Sequence, residues 1–521
     1  MDMVKTAYPL LALSLGTLVA QLHHRFKSPG DEDAYRLIVA LLNDGLSYLG
    51  RQPGNKDEQL PANTQANVNR FAESVIPEAT RPQFEADFVN PKPTVDVYIQ
   101  RLRKWRNRLE AKLDSRPYRV NLEALSPPLG EFHYQKFEDI EIPGQSMDLT
   151  DDNHYFRKIT RFVPSVDLVR SYGICYKRIA MKANDGSTHR FAVQFPAARN
   201  CRREERVSQV FKALSKALDH SPQTRRRNLK FNLPNAVPLN MYIRMVQDDE
   251  DYISFYQIYE KYCKKSGISR DAPFDYQVEK LRLASDPSFK HDITSVKMEI
   301  LSGIQSEIIP SNIMENYFKQ EYRSYDDFWR FRRQFSYSYA VASFMVLVLS
   351  ANNRYPHKFH INLRTGQVWA SDMLPLVSQI RQAPTYLNGE PVAFRLTPNL
   401  QTLMGPTAIE GVFAPSLLVI AKALTNPEFD LHSFLPVFIR DEVIAWFAHQ
   451  LSHNLRLPNG LNDKGVIEVI NSNVDAISKR AISLLHVHHN LSVNQSVLDL
   501  ISLAVNPKSL AVTDILWMPY F

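Results

Sequence analysis

Residues 353–374 read NRYPHKFHINLRTGQVWASDML and carry more structural information than other parts of the sequence. The polar residues 353–358 open the stretch, Gly366 lies in its second half, and Asp372 stands near its end.

The chain before residue 150 reads mainly as helices. Leucines recur at helical spacing between residues 11 and 22, and a second helical unit lies near residues 35–48. The polar residues 50–69 read as a loop. Pro93-Thr94 then begins a helix with apolar residues on one face. Proline-containing breaks place a domain boundary close to residue 150.

Strands are predicted between residues 155 and 250. Residues 177–182 and 189–195 flank the sequence Asn-Asp-Gly-Ser at 184–187, which is a hairpin signal. Short apolar runs follow at residues 231–239 and 241–246.

Helices dominate from about residue 252 onward. They are predicted at residues 252–263, in the apolar run that ends at Leu349, and at 416–424, 440–451 and 497–510. A small sheet with one helix, followed by a large helical lobe, makes the predicted fold class α+β with two lobes.

Length and composition exclude several classes of protein. The 521 residues suffice for about three or four units of ~150 residues, and 44% apolar residues are typical of a globular chain. Cys175, Cys201 and Cys263 form no close pair and no even framework. A disulfide scaffold or a zinc module is therefore not expected, whereas a reducing compartment is.

No membrane segment is expected. Residues 10–22 lack a cleavage site of small residues and continue into a helical pattern, unlike a secretory signal. The apolar residues 337–349 are fewer than the ~20 needed to cross a bilayer, so they predict a buried core helix.

The positive charge is concentrated in one stretch. The net charge is +7, and between Arg199 and Lys230 ten basic residues stand against three acidic ones. One interpretation is an anionic partner, such as nucleic acid, phosphate or an acidic protein segment. The other, which we favour, is the solvated face of a helix with an apolar stripe. No aromatic residue alternates with these cations, so a stacking platform for single strands is not predicted.

Motifs for nucleotide or ester chemistry are missing from the sequence. It contains no G-x-G-x-x-G and no G-x-S-x-G. Gly45 and Gly50 have the spacing of a P-loop, but Arg-Gln follows where Lys-Ser or Lys-Thr is required. No phosphate-binding loop is therefore predicted.

The histidine pairs do not predict a metal site. His449 and His453 are four residues apart, but Gln450 stands where a zinc protease has its general base. The histidines at 486–489 have no Cys or carboxylate at ligand spacing. No metal and no cofactor are expected.

Residues 353–374 resemble the catalytic and metal-binding loops of the phosphatidylinositol-kinase-related protein kinases. That family has D-R-H-x-x-N, a strand, a glycine turn, a second strand and D-F-G in this order. Arg354, Pro356, Gly366 and Asp372 fall in register with it. Asp372 lies nineteen residues after Asn353, which is the spacing of the two family aspartates.

Further blocks occur in the family's order. Residues 202–207, Arg-Arg-Glu-Glu-Arg-Val, resemble the helix start R-Q-D-E-R-V, and residues 391–397 resemble the P-F-R-L-T segment. The ending Trp-Met-Pro-Tyr-Phe at 517–521 resembles the short C-terminal motif. The resemblance implies a protein-kinase-like fold of the phosphatidylinositol 3/4-kinase type.

Most positions that carry phosphoryl transfer differ from the family pattern. The reaction needs a lysine on the phosphates, a carboxylate near the nucleophile and two metal ligands. Pro196 stands at the lysine position, Asn353 at the catalytic aspartate and Lys358 at the metal-binding asparagine. Tyr355 replaces the loop histidine, and Asp372 alone is kept. The resemblance therefore implies a pseudokinase without catalytic residues or cofactor.

Within the family, these blocks and the helix at residues 440–446 are similar to the TRRAP-type transcription-associated pseudokinases, over nearly the whole chain. The resemblance divides the chain into a helical end of a FAT-like region at 1–77, an FRB-like helical segment and linker at 78–150, a kinase-like small lobe at 151–250, a large lobe at 251–485 and a FATC motif at 490–521.

The same resemblance implies a nuclear scaffold. TRRAP-type proteins hold together histone acetyltransferase complexes of the SAGA and MYST-containing kinds, so subunits of such complexes are the implied partners. The family's HEAT-repeat solenoid, where transcription activators dock, is not part of this sequence. Activator binding is therefore not expected of this chain. Direct nucleic-acid contact is not expected either, because the basic stretch reads as the solvated face of a helix.

Two surfaces are candidate partner contacts. One is the basic cluster Arg225, Arg226 and Arg227, and the other is the aromatic ending with Trp517, Tyr520 and Phe521. Alternatively, the ending packs on its own large lobe, which we favour.

Two other functions remain open. A divergent kinase that uses Asp372 would bind nucleotide with magnesium. A nucleic-acid binder that uses residues 199–230 would show steep salt dependence.

Overall fold

The structure is a computed structural model of the 521-residue chain. It describes residues 6, 9–27, 30–74, 76–132, 140–145, 156–195, 202–240, 242–284, 292–351, 354–373, 391–426, 429, 433–441, 443, 463–485 and 493–521. The chain forms two compact units, Met1–Glu205 with Pro234–Asp249, and Arg206–Leu233 with Glu250–Phe521. The predicted domain boundaries at 77, 150 and 250 remain predictions.

The first unit combines helices with an antiparallel sheet. Its helices are Pro9–Phe26, Gly30–Arg51, Ala62–Ser74, Arg81–Phe88, Val95–Asp114, Leu122–Leu125 and Pro127–Gly130, with a 3₁₀ turn at Pro53–Asp57. Its strands are β1 Arg119–Asn121, β2 Ile159–Phe162, β3 Ser165–Ser171, β4 Ile174–Ala183, β5 Thr188–Gln194, β6 Ala236–Pro238 and β7 Arg244–Gln247. The order is β1-β3-β4-β5-β7-β6, and β2 pairs with β4.

The β4–β5 hairpin confirms the turn predicted at residues 184–187. Gly186 has a φ of +83°, a value that glycine adopts without steric cost. Its N–H bonds to the carbonyl of Ala183, whose own N–H bonds to the carbonyl of Ser187. Lys177 to Lys182 then pair with Val193 to Thr188 in regular register.

The helices of the first unit are tied to its sheet. Leu22 and Phe26 share a buried cluster with Ile179 and Val193 of the sheet. Arg170 of β3 pairs with Asp114 at the end of helix Val95–Asp114, at 2.7 Å. The helical segment and the strands therefore share one core, although their sequence patterns differ.

One prediction for the first unit is wrong. Residues 50–69 were expected to form a loop, but helix Ala62–Ser74 begins inside that stretch. Val68 is fully buried, and the Gln65 amide is buried while donating to the carbonyl of Phe88 at 3.0 Å. Because so few residues of this helix are apolar, its sequence lacks a clear helical period.

The second unit is mainly helical. Its helices are Arg202–His220 (counted here although its first four residues belong to the first unit), Pro222–Arg226, Phe255–Ser266, Ala272–Ala284, Ile293–Gly303, Ile313–Glu321, Tyr325–Val348, Pro398–Met404, Ala414–Leu424, Asp463–Ser483, Val493–Val505 and Pro507–Ala511. Single π-helical turns lie at Ile304–Ile308 and Ile409–Phe413, and 3₁₀ turns at Pro356–Lys358 and Ile515–Trp517. A three-stranded antiparallel sheet of β8 Tyr252–Ser254, β9 Phe359–Asn362 and β10 Val368–Ala370 has the order β10-β9-β8.

Helix Tyr325–Val348 is the central element of this unit. Phe335, Tyr339 and Phe344 are fully buried, and the residues from 338 to 348 are all buried. This confirms the core helix predicted from the apolar run. Among the described residues no single helix is long and apolar enough for a membrane span, and the pair Pro398–Met404 and Ile409–Leu424 reaches that length only with a bend of 79°.

Two helices predicted for the second unit differ in their bounds. The segment from Tyr252 begins as strand β8, and helix Phe255–Ser266 starts after a capping box between Ser254 and Gln257. The helix predicted at 497–510 breaks at Asn506, because Pro507 has no N–H to continue it. Of the helix predicted at 440–451, only three residues lie in the described part of the chain.

Candidate functional site

The β9–β10 hairpin forms as predicted and sits on the central helix. Gly366 has a φ of +73°, and a Cβ there would lie 2.6 Å from the carbonyl oxygen of Phe331. Only glycine therefore fits this turn. The Ser338 hydroxyl accepts from the N–H of Val368 at 2.8 Å and donates to the carbonyl of the same residue. The hairpin is thereby fixed to the core.

The hairpin brings its two flanking loops together. The N–H of Ser371 bonds to the carbonyl of Lys358 at 2.9 Å. The Lys358 ammonium forms an ion pair with the Asp372 carboxylate, and the two side chains are 24% and 45% exposed. Asp372 has a φ of +53°, which asparagine and aspartate tolerate better than other non-glycine residues. The one kept carboxylate thus has a lysine as its partner.

This ion pair limits the chemistry of the loops. Magnesium is held in proteins by carboxylate oxygens, and here the Lys358 ammonium pairs with Oδ2 of Asp372. Within the described ranges no three His, Cys, Asp or Glu side chains are grouped so that they could hold a metal ion. In the described parts of the two loops, residues 354–358 and 371–373, Asp372 is the only carboxylate, and it is paired with Lys358.

Two histidines beside the ion pair are held neutral. Burial, with the positive charge of Lys358 as a further cause, lowers the pKa of His357 to about 3. Burial also lowers the pKa of His360 to about 4. The His360 ring stacks on Trp369 with ring centres 4.2 Å apart. Both imidazoles are therefore uncharged at neutral pH and add no positive charge to the loop.

We expect these histidines to make the second unit sensitive to acid. Above pH 6.5 both histidines are neutral in the folded and in the unfolded chain, so their protonation does not reduce the free energy of unfolding. Below pH 6.5 the unfolded chain binds protons that the folded chain excludes until pH approaches 4 to 3. The free energy of unfolding should fall by roughly 1 kcal/mol per imidazole at about pH 5.5.

Urea unfolding at several pH values measures this loss. A chain with His357→Gln and His360→Gln is the matched control, since it has no imidazole at these two positions. The expectation fails if that chain loses as much stability between about pH 7 and about pH 5.5 as the unaltered chain.

Two buried arginines connect the loop at residues 354–358 to the aromatic ending at residues 517–521. The Arg354 guanidinium lies 4.7 Å from the ring centre of Trp517 and donates to the carbonyl of Ala393 at 3.1 Å. The Arg395 guanidinium donates to the main-chain oxygens of Arg354, Trp517, Met518 and Phe521. Burial lowers the pKa of Arg395 to about 10, so it stays cationic at neutral pH.

The aromatic ending is not an exposed surface. Trp517, Tyr520 and Phe521 are 3%, 3% and 1% exposed, and the Phe521 ring lies 5.3 Å from that of Tyr259. The structure thus corrects the expectation of a partner contact here, in favour of the alternative that the ending packs on its own lobe. The physical reason is Arg395, which satisfies the main-chain oxygens of the ending and lets the rings enter the core.

The other predicted site residues are placed as follows. Arg225 and Arg226 are exposed, and Arg227 is half-buried and donates to the carbonyl of Gln223. Pro196 and Asn353 lie outside the described residues, as do the histidines at 449–453 and 486–489. Sequence reasoning missed the role of Arg395, whose contacts with Phe521 span 126 positions. The only signal in the sequence was that Arg395 and Phe521 both lie in blocks that resemble the family pattern.

Comparisons with known proteins agree with this fold. The family model of the phosphatidylinositol 3- and 4-kinases matches residues 190–448, and the FATC domain model matches residues 490–521. The FAT and kinase domain of CtTel1 superposes with a TM-score of 0.53 at 16% identity, covering 96% of this chain and 37% of that one. At this identity the likeness concerns the fold alone.

Curated relatives are more similar in sequence. The SAGA complex/NuA4 acetyltransferase complex subunit TRA1 of Saccharomyces cerevisiae is 42% identical over the whole chain, and Tra1 of Schizosaccharomyces pombe is 40% identical. The human transformation/transcription domain-associated protein is 27% identical over 86% of this chain. The chain spans 14% of the length of the two yeast proteins and 12% of the human one. It belongs to the phosphatidylinositol-3-kinase-related family, in the branch of Tra1 and the transformation/transcription domain-associated protein.

Proposed function

We propose that this chain is a catalytically inactive kinase-fold scaffold in nuclear histone acetyltransferase coactivator complexes of the SAGA and NuA4 kinds. The yeast relatives that match it from end to end are named as subunits of these two complexes. Its partners are then other subunits of these complexes, and its role is to hold them in place and so to regulate transcription.

The observation that carries the inactive state is the ion pair between Lys358 and Asp372. Phosphoryl transfer is mainly positioning and charge neutralisation by metal ions. An ammonium group that is part of the chain neutralises Asp372 and repels a divalent cation at the same place. Pro196 and Asn353, at the lysine and catalytic aspartate positions of the family pattern, support the same proposal.

Nucleotide binding tests the inactive state. We expect ATP and magnesium to leave the thermal unfolding midpoint of the chain unchanged. A nucleotide that did bind, present at 100 times its Kd, would stabilise the chain by about 2.7 kcal/mol. That stabilisation corresponds to a shift of several degrees. An active kinase of the same family serves as positive control. A magnesium-dependent shift that Asp372→Asn abolishes would favour a divergent kinase instead.

Co-purification tests the scaffold. The tagged full chain is isolated from nuclear extract, and the proteins that accompany it are identified by mass spectrometry. We expect acetyltransferase-complex subunits, and we expect the Asp372→Asn chain to recover them equally, because assembly needs no catalysis. Asparagine suits this position because it tolerates the positive φ of residue 372. Recovery of a folded chain without such subunits would overturn the proposal.

A further inference from the structure

The loop after helix Arg202–His220 contains a serine followed by a proline, Ser221-Pro222. Ser221 has an extended backbone, with φ −78° and ψ 124°, and its hydroxyl makes no capping bond to the helix that follows. The hydroxyls of Ser254 and Ser324 stand at the same position of two other helices, and each accepts from a main-chain N–H. The Ser221 hydroxyl therefore differs from these in having no capping role.

The residues around Ser221 face solvent. His220, Pro222 and Gln223 are exposed, and Ser221 itself is half-buried. The loop is nevertheless fixed to the core, because the fully buried Thr224 side chain donates to the carbonyl of Ser221 at 2.9 Å. A modifying enzyme therefore finds the serine and the proline together at the surface, in one backbone conformation.

Four cations follow the serine closely, namely Arg225, Arg226, Arg227 and Lys230. The main-chain N–H of Arg225 bonds to the carbonyl of Ser221 at 3.0 Å, which places the two residues one helical turn apart. Arg225 and Arg226 are exposed, and within the described ranges no carboxylate pairs with either of them. A negative charge on Ser221 would therefore have Arg225 as its partner.

We propose that Ser221 is phosphorylated by a proline-directed protein kinase and that Arg225 binds the phosphate. The step transfers the γ-phosphoryl group of ATP: a P–O bond to Oγ of Ser221 forms, the bond to the ADP oxygen breaks, and the hydroxyl proton passes to a base of the kinase. The phosphate adds about −1.5 to −2 charges at neutral pH, against four cations in residues 225–230. Phosphorylation thus removes up to about half of the positive charge of this loop. The inference goes beyond the scaffold function and does not depend on it.

The cations of this loop suit a small attached anion better than a nucleic acid. They lie within residues 225–230, and no aromatic residue on which a base could stack stands between Ser221 and Lys230. A nucleic-acid backbone gains affinity from each phosphate that is neutralised, so it needs cations along a longer path. A phosphate on Ser221 needs only the donors of one guanidinium within reach.

The chain contains a matched control in Ser126-Pro127. This pair also has a serine with an extended backbone just before a short helix, and the proline again opens that helix. Ser126 differs in being fully buried, and its hydroxyl donates to the Gln21 side chain at 3.0 Å. A kinase that needs an accessible hydroxyl as well as the dipeptide should therefore modify Ser221 and leave Ser126 unmodified.

Treatment of the full chain with a purified proline-directed kinase and ATP tests the proposal. The chain carries Ser28→Ala, because another Ser-Pro pair, at residues 28–29, lies outside the described residues. Modified residues are identified by mass spectrometry of tryptic peptides. We expect phosphate on Ser221 and none on Ser126. Pro222→Ala should slow the reaction at Ser221 by ~10-fold or more, as the loss of one contact in a specificity pocket does.

The heat-unfolded chain is the positive control for the kinase, since unfolding makes both serines accessible and both should then be modified. Circular dichroism shows that the chain treated in its native state stays folded. The proposal is overturned if the folded chain takes up no phosphate at Ser221, or if Ser126 is modified at the same rate. It is also overturned if the Pro222→Ala chain reacts as fast as the unaltered one.

Phosphorus NMR of the phosphorylated chain at several pH values tests the role of Arg225. The guanidinium stabilises the dianion, so the second pKa of the phosphate should lie below its ordinary value of ~6. Arg225→Gln should raise that pKa, whereas Arg226→Gln, about 100° further round the helix, should raise it less. The same phosphate pKa in the unaltered and the Arg225→Gln chains would overturn the assignment of Arg225.

Discussion

Replacing Arg395 with methionine should lower the free energy of unfolding of the second unit by about 3–5 kcal/mol. The guanidinium is buried and donates to four main-chain oxygens, three of them in the aromatic ending. Methionine has no donor, so the oxygens of Arg354, Trp517 and Phe521 would lose this partner, while the Met518 oxygen keeps the N–H of Phe521. Each unsatisfied group costs about 1–3 kcal/mol. Among single arginine substitutions, we expect Arg395→Met to lower the free energy of unfolding most.

Urea unfolding followed by far-ultraviolet circular dichroism measures the change. Arg364→Met is the matched control, because Arg364 is 79% exposed and has one ion pair at 2.9 Å; its effect should stay within ~1 kcal/mol. Arg395→Lys should fall between the two, since lysine keeps the charge but not the planar set of donors. Equal stability of the Arg395→Met and Arg364→Met chains would contradict the assigned role of Arg395.

Replacing Trp517 with alanine is expected to cost about 3–5 kcal/mol of stability. The indole is 3% exposed, and its removal leaves a cavity in the core. The substitution also removes the aromatic ring that the buried Arg354 guanidinium contacts, with the guanidinium carbon 4.7 Å from the ring centre. The loss should be measurable in the isolated chain, without any partner.

Trp329→Ala is the control for this prediction, since the same substitution is made at a half-exposed site. Its stability should change by ~0.5 kcal/mol or less. The pair of variants also separates two roles of tryptophan. If Trp517 were instead a partner contact, Trp517→Ala would weaken partner binding and leave the unfolding curve of the chain unchanged.

Local patterns in the sequence predicted several elements correctly. The turn around Gly186, helix Val95–Asp114 and the buried half of helix Tyr325–Val348 follow from hydrophobic period and turn residues. These signals are local, because the period of a helix or strand is set by the geometry of neighbouring residues. The register of the family-like loops also singled out Lys358 as a substituted position and Asp372 as a kept one.

Elements that depend on distant partners were missed. Strand β8 has three residues and exists because it pairs with β9, about a hundred positions later. Helix Ala62–Ser74 is stabilised by Val68 and by the bond from Gln65 to Phe88. Neither has a period of its own that is long enough to be recognised.

The sequence by itself determined the family and the two-lobed fold class, because these depend on residue identity and on local spacing. Only the tertiary structure decided that Lys358 meets Asp372 and that Arg395 holds the aromatic ending inside the lobe. A sequence pattern shows which residues are apolar or charged. Which of them meet depends on how distant segments pack, and that is set by the core of the whole unit.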